Sequence, residues 1–255
     1  MSPFVLETAR LTLDQPTDAD VDAIARYCVE PVFERFMLTP WPYRREDAVG
    51  FVIGYAPDGW ADDSEWTWAI RGRGTAPLLG VVGVRRKGGM VGYWLGAEFR
   101  GRGVLPEALA AVIDAVFART DLDRVRWECT YGNVASMRVA AKTGFRFTGA
   151  QTGLLPNRDG SPIHAWTREL LRTDDRSEKD GWPEAEVAQE RRGALAPDAG
   201  RHRRRRGVDE RHPPPRRPLA RRRARAGTSC ERRTRRPTSG RTPTGARWGP
   251  TSHSR

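Results

Sequence analysis

The chain has 255 residues, and Lys+Arg 44 against Asp+Glu 32 gives a formal net charge of +12. That charge sits at one end: residues 184–255 hold 21 Arg, no Lys and 7 Asp+Glu (+14), which leaves 23 basic and 25 acidic residues (−2) in residues 1–183. No stretch approaches the roughly 18 to 20 apolar residues needed to cross a bilayer, and three widely spaced Cys with four His suggest neither a disulfide framework nor a zinc site.

The start, Met1 to Glu7, lacks the basic segment and apolar run of a leader, so the expectation is a cytoplasmic protein without a membrane partner. Leu11 and Leu13 read as a short strand. Thr17 opens a helical pattern through Val21, Ile24, Ala25 and Cys28, and a second runs from Arg45 to Tyr55 through Ala48, Phe51 and Val52. From Trp66 the period changes. Trp66–Ile70, Leu78–Val84 and Met90–Leu95 are β-branched or aromatic runs, the last two joined by a turn at Lys87-Gly88-Gly89, which predicts consecutive antiparallel strands.

Next comes Arg100-Gly101-Arg102-Gly103, then a helix with Leu105, Leu109, Val112, Ile113, Val116 and Phe117 on one side and Pro106 in its first turn, where a missing N–H costs nothing. Arg124–Thr130 alternates apolar and charged residues as a two-faced strand does. Asn133 can cap the following helix and Gly144 can end it, with Lys142 in the last turn. Phe145–Phe147 and His164–Leu171 close the series as strands. The predicted fold class is α/β (α+β mixed sheet), a mostly antiparallel central sheet flanked by helices.

Only Val187, Leu195, Val208, Leu219, Cys230 and Trp248 are large apolar or sulfur residues after residue 183. So few cannot offset the entropy of ordering 72 residues, and the expected division is a folded domain over 1–183 and a disordered Arg/Pro/Gly-rich tail over 184–255. Pro213-Pro214-Pro215 amid arginines reads either as part of an arm that binds nucleic acid or another polyanion through phosphate contacts, or as a translated GC-rich frame without function.

The most informative segment is Leu95-Gly96-Ala97-Glu98-Phe99-Arg100-Gly101-Arg102-Gly103-Val104, a strand entering a glycine loop that opens a helix. Successive N–H groups at a helix start form an anion site, and a pyrophosphate is its natural occupant. The P-loop pattern needs Lys then Ser or Thr where Val104 and Leu105 stand, and the dinucleotide fingerprint needs Gly or Ala where Pro106 stands; both are disfavoured.

Arg100-Gly-Arg-Gly-Val, followed about thirty residues later by Asn133-x-x-Ser136-x-Arg138-x-x-x-Lys142-x-Gly144-Phe145, resembles the acetyl-CoA-dependent GNAT N-acetyltransferases. The closest branch is the RimJ/RimL type, which acetylates N-terminal amines of ribosomal proteins and includes many members of unknown substrate. Leu6-Glu7-Thr8-Ala9-Arg10-Leu11, Trp41-Pro42-Tyr43 and Asp180-Gly181-Trp182-Pro183 are similar to that branch too, so the resemblance spans roughly residues 6 to 183.

The resemblance implies an acyltransferase with acetyl-CoA as acetyl donor. Arg100, Gly101, Arg102, Gly103 and Val104 are then expected to hold the pyrophosphate, Leu95 and Ala97 to offer backbone groups to the pantetheine, and Asn133 and Arg138 to flank the cofactor arm. The alternatives are that Asn133 is a helix cap alone and that Arg138 with Lys142 forms a solvated face. Leu105 replaces a usual Gly or Ala, and Ala140 stands where many relatives carry the Tyr that reprotonates the thiolate; Ser136 is the replacement candidate.

Glu128 is the candidate base, ahead of Tyr131, Glu98 and His164. The acidic stretch Asp58 to Glu65 could attract a cationic acceptor, and Trp41, Pro42 and Tyr43 could line its pocket or cover the core. Three functions remain: acetylation of a primary amine, with a protein N-terminal α-amine before an aminoglycoside or other small amine; a non-catalytic CoA-binding domain; and a polyanion-binding module in the tail.

Overall fold

The structure is a computed structural model that describes residues 1–179. The expected boundary near Pro183, the tail over 184–255 and Cys230 lie outside the described residues. Eight strands form one sheet in the order β1-β2-β3-β4-β5-β6-β8-β7. They are β1 (Leu6–Glu7), β2 (Leu11–Asp14), β3 (Glu65–Gly72), β4 (Leu78–Arg85), β5 (Met90–Leu95), β6 (Arg124–Thr130), β7 (Arg146–Pro156) and β8 (Pro162–Leu171). Every neighbouring pair is antiparallel except β5 and β6, which run parallel through the crossover helix α5 (Val104–Arg119).

Alternation along each strand gives the sheet two apolar faces. Trp66, Trp68, Val82, Tyr93, Val125 and Trp127 turn to one side, where α5 and α6 (Val134–Lys142) cover them. Ala69, Leu78, Val81 and Trp94 turn to the other, under α1 (Val21–Tyr27), α2 (Pro31–Phe36) and α3 (Arg45–Gly50), while α4 (Ala56–Ala61) gives Ala56 to this face and Trp60 to the first. Trp60, Trp66, Trp68, Trp127 and Trp166 are all less than 2% exposed. Burial of each removes about 150–250 Å2 from water, on the order of 4–6 kcal/mol apiece at about 25 cal/mol per Å2 before chain entropy.

The predicted elements occur with instructive differences. The helix expected over 45–55 is longer and irregular: after α3 a π turn over Phe51–Tyr55 closes with the Ala56 N–H donating to Phe51 O, and α4 follows with Pro57 in its first turn. Proline has no N–H for the α ladder, and the widened turn accommodates it. The strand expected over Phe145–Phe147 begins at Arg146 and continues to Pro156, because it pairs along most of β8. β8 inserts between β6 and β7, so the last strand in sequence is not the last in space.

The parallel pair positions the site. β5 and β6 are bonded only at Met90↔Arg126 and Val91↔Trp127. Beyond those residues β5 stays with β4 as far as Leu95↔Gly80, while β6 stays with β8 as far as Thr130↔Ala165. Each strand follows its outer neighbour, and the sheet opens between them. No helix among the described residues is long and apolar enough to cross a membrane.

Candidate active site

At the carboxyl end of β5 the chain makes a 3-10 turn over Ala97–Phe99 and enters the glycine loop. Gly101 and Gly103 both have φ +74°, and Gly103 is the N-cap of α5. An L side chain in that left-handed region costs about 1–2 kcal/mol, which is why glycine stands at both positions. Among the described residues no protein acceptor takes the N–H groups of Gly101, Arg102 or Gly103. Those of Val104 and Leu105 open the helix, where the α ladder offers no partner. Five consecutive main-chain donors at a positive helix end make an anion site.

The loop is braced from outside by a residue that sequence reasoning passed over. Arg10 donates from Nη1 to Arg102 O at 3.1 Å and from Nε to Glu107 Oε2 at 2.6 Å. Thr8 Oγ1 donates to Glu107 Oε1 at 2.6 Å. Partial burial would push the Glu107 carboxyl up, but the Thr8 and Arg10 hydrogen bonds outweigh it and hold the group below the usual carboxylate range. A carboxylate in the first turn of α5 is thereby matched by a guanidinium rather than left to repel an incoming anion.

Arg100 turns back instead of reaching over the loop. Its Nε and Nη2 donate to Leu95 O at 3.2 and 2.9 Å, and Nη2 pairs with Glu30 Oε2 at 2.8 Å. The Ala97 N–H donates to Glu30 Oε1 at 3.3 Å. The structure therefore gives Arg100 a bracing role, and the Leu95 carbonyl and Ala97 amide already have partners.

A cavity of about 620 Å3 begins at this loop. Its lining takes Gly101, Gly103 and Val104 from the loop, Asn133, Ser136 and Arg138 from α6 and the residues before it, and Glu128, Trp94 and Phe33 from the opposite face of the sheet. The cavity therefore passes through the opening between β5 and β6. Of the residues singled out from sequence, Leu95, Arg100, Gly101, Gly103, Val104, Glu128, Asn133, Ser136 and Arg138 meet in it; Ala97 and Arg102 stand outside its lining.

Asn133 caps α6, its side chain accepting from the Ser136 N–H at 3.2 Å. Ser136 Oγ accepts from Trp127 Nε1 at 3.1 Å and lies 3.2 Å from Tyr93 Oη, which donates to the Ser136 carbonyl at 2.8 Å. Burial raises the Tyr93 phenol well above its ordinary range. Burial likewise pushes the Cys129 thiol up, so it stands in the cavity wall as a thiol rather than a thiolate. On the far face, Glu128 packs above Gly153, where an added Cβ would collide with Glu128 Oε1.

That far face holds groups the sequence reading missed. Tyr55, from the π turn, donates to Glu65 Oε2 at 2.5 Å, and Arg85 Nε donates to the same oxygen at 3.2 Å. Thr67 Oγ1 and Thr39 Oγ1 line the same cavity, are buried, and have no hydrogen-bond partner among the described residues. The apolar wall comes from α2 and the loop after it. Arg158, at the β7–β8 turn, fastens this wall by donating to the carbonyls of Phe33, Glu34, Met37 and Thr39. Trp41, Pro42 and Tyr43 are not in the lining; Tyr43 is buried in the core under α1 and α3, and Trp41 packs against it. Of the acidic stretch only Glu65 reaches the cavity, and Glu98, Tyr131 and His164 do not.

A family model described as an acetyltransferase (GNAT) domain matches residues 10–146. Among curated proteins, "Probable N-acetyltransferase YjcK" of Bacillus subtilis is 32% identical over 76 residues, 30% of this chain and 42% of its own length. "Uncharacterized N-acetyltransferase YoaA" of the same organism is 27% identical over 150 residues, 57% of this chain and 84% of its own. The chain thus spans less than half of the first relative and most of the second. Among solved structures, RimL, a ribosomal L7/L12 alpha-N-protein acetyltransferase in complex with coenzyme A, shares the fold with a TM-score of 0.56 at 19% identity, covering 68% of this chain and 100% of that one.

Proposed function

The chain belongs to the GNAT acetyltransferase family, and from that premise we propose that it transfers the acetyl group of acetyl-CoA to a primary amine, in the first place a peptide N-terminal α-amine. The observation that carries this reading is the cavity running from an unpaired anion loop, through the split in the sheet, to a carboxylate-bearing far face. The residues present fit the donor: five adjacent N–H groups await an anion, and a Cβ on Gly101 would meet nothing within 4 Å, so the loop surface is open.

Acetyl-CoA supplies the activated thioester; the chain supplies position and proton traffic. The main-chain donors from Gly101 to Leu105 hold the diphosphate, and Arg138 adds positive charge beside it. Glu128 would take the proton of the attacking amine, and Ser136 would return one to the departing sulfur and recover it from water, so that the proton lost by the amine balances the one gained by the thiol. At pH 7.4 an α-amine with pKa about 7.8 costs roughly 0.5 kcal/mol to deprotonate, whereas a lysine near 10.4 costs roughly 4, so a single partly exposed carboxylate suits the α-amine. Two carboxylates, Glu65 and Glu128, line the far face, Glu65 within an ion pair with Arg85, and its walls are largely apolar. That is little negative charge for a polycationic aminoglycoside. The relative known to act on a ribosomal protein N-terminus points the same way. We place this activity in the cytoplasm and within residues 1–183.

Thiol release from acetyl-CoA with a panel of peptide amides and small amines tests the reading, in the full chain and in a chain ending at Pro183. Turnover with peptide amides in both supports it. Glu128→Gln should lower kcat with little change in acetyl-CoA affinity; an unchanged kcat removes Glu128 from proton transfer.

A further inference from the structure

One row of residues crosses the far face of the sheet at the level of the split. Thr67 on β3 pairs with Gly83 on β4, Gly83 pairs with Gly92 on β5, and Gly92, one step past the last β5–β6 pair, stands level with Glu128 on β6. The two central positions are glycine, and neither needs to be for its backbone, since both lie in strands without a positive φ. Their lack of side chains has a spatial meaning instead. A Cβ on Gly92 would meet nothing within 4 Å, so it would project into the cavity. A Cβ on Gly83 would lie 3.3 Å from both Glu65 Oε1 and Thr67 Oγ1, so these two polar atoms converge on the space a side chain would fill.

The result is a bare-floored trough with Glu128 beside the split at one end and Glu65 with Thr67 at the other. Adjacent strands lie about 4.8 Å apart, so Thr67 is roughly 10 Å from the point where Gly92 borders the split. Thr67 is 2% exposed and its hydroxyl has no partner among the described residues. A buried hydroxyl costs stability unless something bonds to it, and nothing in the described chain does. The carboxylate beside it is compensated by Arg85 and already accepts from Tyr55. That end therefore carries little net charge, which favours a neutral donor over a second ammonium.

We infer that Thr67 and Glu65 form a distal acceptor subsite, which binds a neutral N–H or O–H donor about 10 Å from the reacting nitrogen, with the glycines at 83 and 92 keeping the path between them clear. The subsite rests on the acetyl-transfer reading for its reacting end. An extended peptide advances about 3.3 Å per residue, so the donor falls on the third or fourth residue of a peptide acceptor.

The full-length chain is assayed by thiol release with alaninamide, with the amides of di-, tri- and tetra-alanine, and with kanamycin as a polycation. The expected result is a kcat/KM that rises about tenfold from alaninamide to tetra-alanine amide. Thr67→Val should remove most of that gain without lowering the melting temperature, since it replaces an unbonded hydroxyl by a methyl. Gly92→Val should abolish peptide turnover at unchanged acetyl-CoA affinity. A kcat/KM independent of length, a Thr67→Val variant that keeps the gain, or a preference for kanamycin overturns the subsite. Should acetyl-CoA bind but no amine be acetylated, the transferase reading falls on its own. Calorimetry of tetra-alanine amide with the CoA-saturated protein then decides the subsite: binding that Thr67→Val weakens sustains it, and no binding, or binding that the variant leaves unchanged, overturns it.

Discussion

Replacing Ser136 by alanine separates the hydrogen bond that its hydroxyl accepts in the structure from the proton-return role proposed for it. Trp127 is 1% exposed, and its Nε1–H donates to Ser136 Oγ at 3.1 Å. Ser136→Ala removes the acceptor of that buried bond and leaves the donor only the Tyr93 phenol oxygen nearby, which costs about 1–3 kcal/mol. For a domain of this size each kcal/mol lowers the melting temperature by roughly 2–4 °C, so a fall of about 4–8 °C is the central expectation. If the same hydroxyl also protonates the departing thiolate, kcat at saturating substrates falls by about 10²-fold, the lower end of general-acid effects. Tyr93→Phe is the control. It removes the phenol oxygen 3.2 Å from Ser136 Oγ and frees that hydroxyl to face the cavity, while the phenol hydrogen is already given to the Ser136 carbonyl at 2.8 Å. Tyr93→Phe should therefore keep kcat within a few-fold. The assays are thermal unfolding followed by circular dichroism and thiol release at saturating acetyl-CoA and peptide. An unchanged melting temperature in Ser136→Ala would refute the Trp127 bond; a kcat that survives in Ser136→Ala and collapses in Tyr93→Phe would move the acid to Tyr93.

Gly103→Ala forces an L side chain to φ +74° at a point where its Cβ would meet only Arg10 Nη2, at 3.4 Å. The cost is the backbone term of about 1–2 kcal/mol, expected as a melting temperature lower by roughly 2–8 °C together with weaker CoA binding by calorimetry. Arg10→Ala leaves the Glu107 carboxylate unmatched in the first turn of α5, and the CoA dissociation constant should rise about two- to fivefold at low salt and less at high salt. Asp20 is 3% exposed and bonded to Arg71. Burial would raise its carboxyl, but the Arg71 guanidinium and the Thr17 N–H prevail and hold it below the usual range. The sign follows: this ion pair stabilises the fold above the unfolded carboxyl pKa of about 3.9, and the contribution is lost as pH falls through the lowered folded value. Acid unfolding curves should show that dependence in the parent chain and a flatter one in Asp20→Asn.

Much of the site was legible where function demands a residue type that local structure also signals. Gly101, Gly103 and Asn133 announce themselves because a left-handed turn and a helix cap each admit few residues, and both lie within a few positions of the element they serve. The acceptor face was not legible for the opposite reason. Thr67 is an ordinary strand residue, Gly83 and Gly92 resemble breaks in a strand, and their meaning arises only when three strands are laid side by side in register. The six-residue α2 has too few turns to show a period. Arg158 fastens its carbonyls from about 120 residues away, which no local pattern encodes.

The place of the site follows from one irregularity in the sheet. Antiparallel neighbours can be joined by tight turns, as β4 and β5 are, but a parallel step requires a crossover, and here the crossover is α5. A crossover helix must begin where the preceding strand ends, so its positive N-terminus is delivered to the carboxyl end of β5, beside the gap that the parallel pair leaves open. Anion loop and passage through the sheet are thus two consequences of the same reversal. The two faces that the passage joins are covered mainly by different helices, α5 and α6 on one side and α1 to α3 on the other, while α4 lies at the edge and gives Trp60 to the first face and Ala56 to the second. Donor and acceptor can then be held by separate parts of the chain and meet only at the split. That separation is why substitutions at Gly103 and at Thr67 are expected to disturb different substrates, although both residues border one cavity.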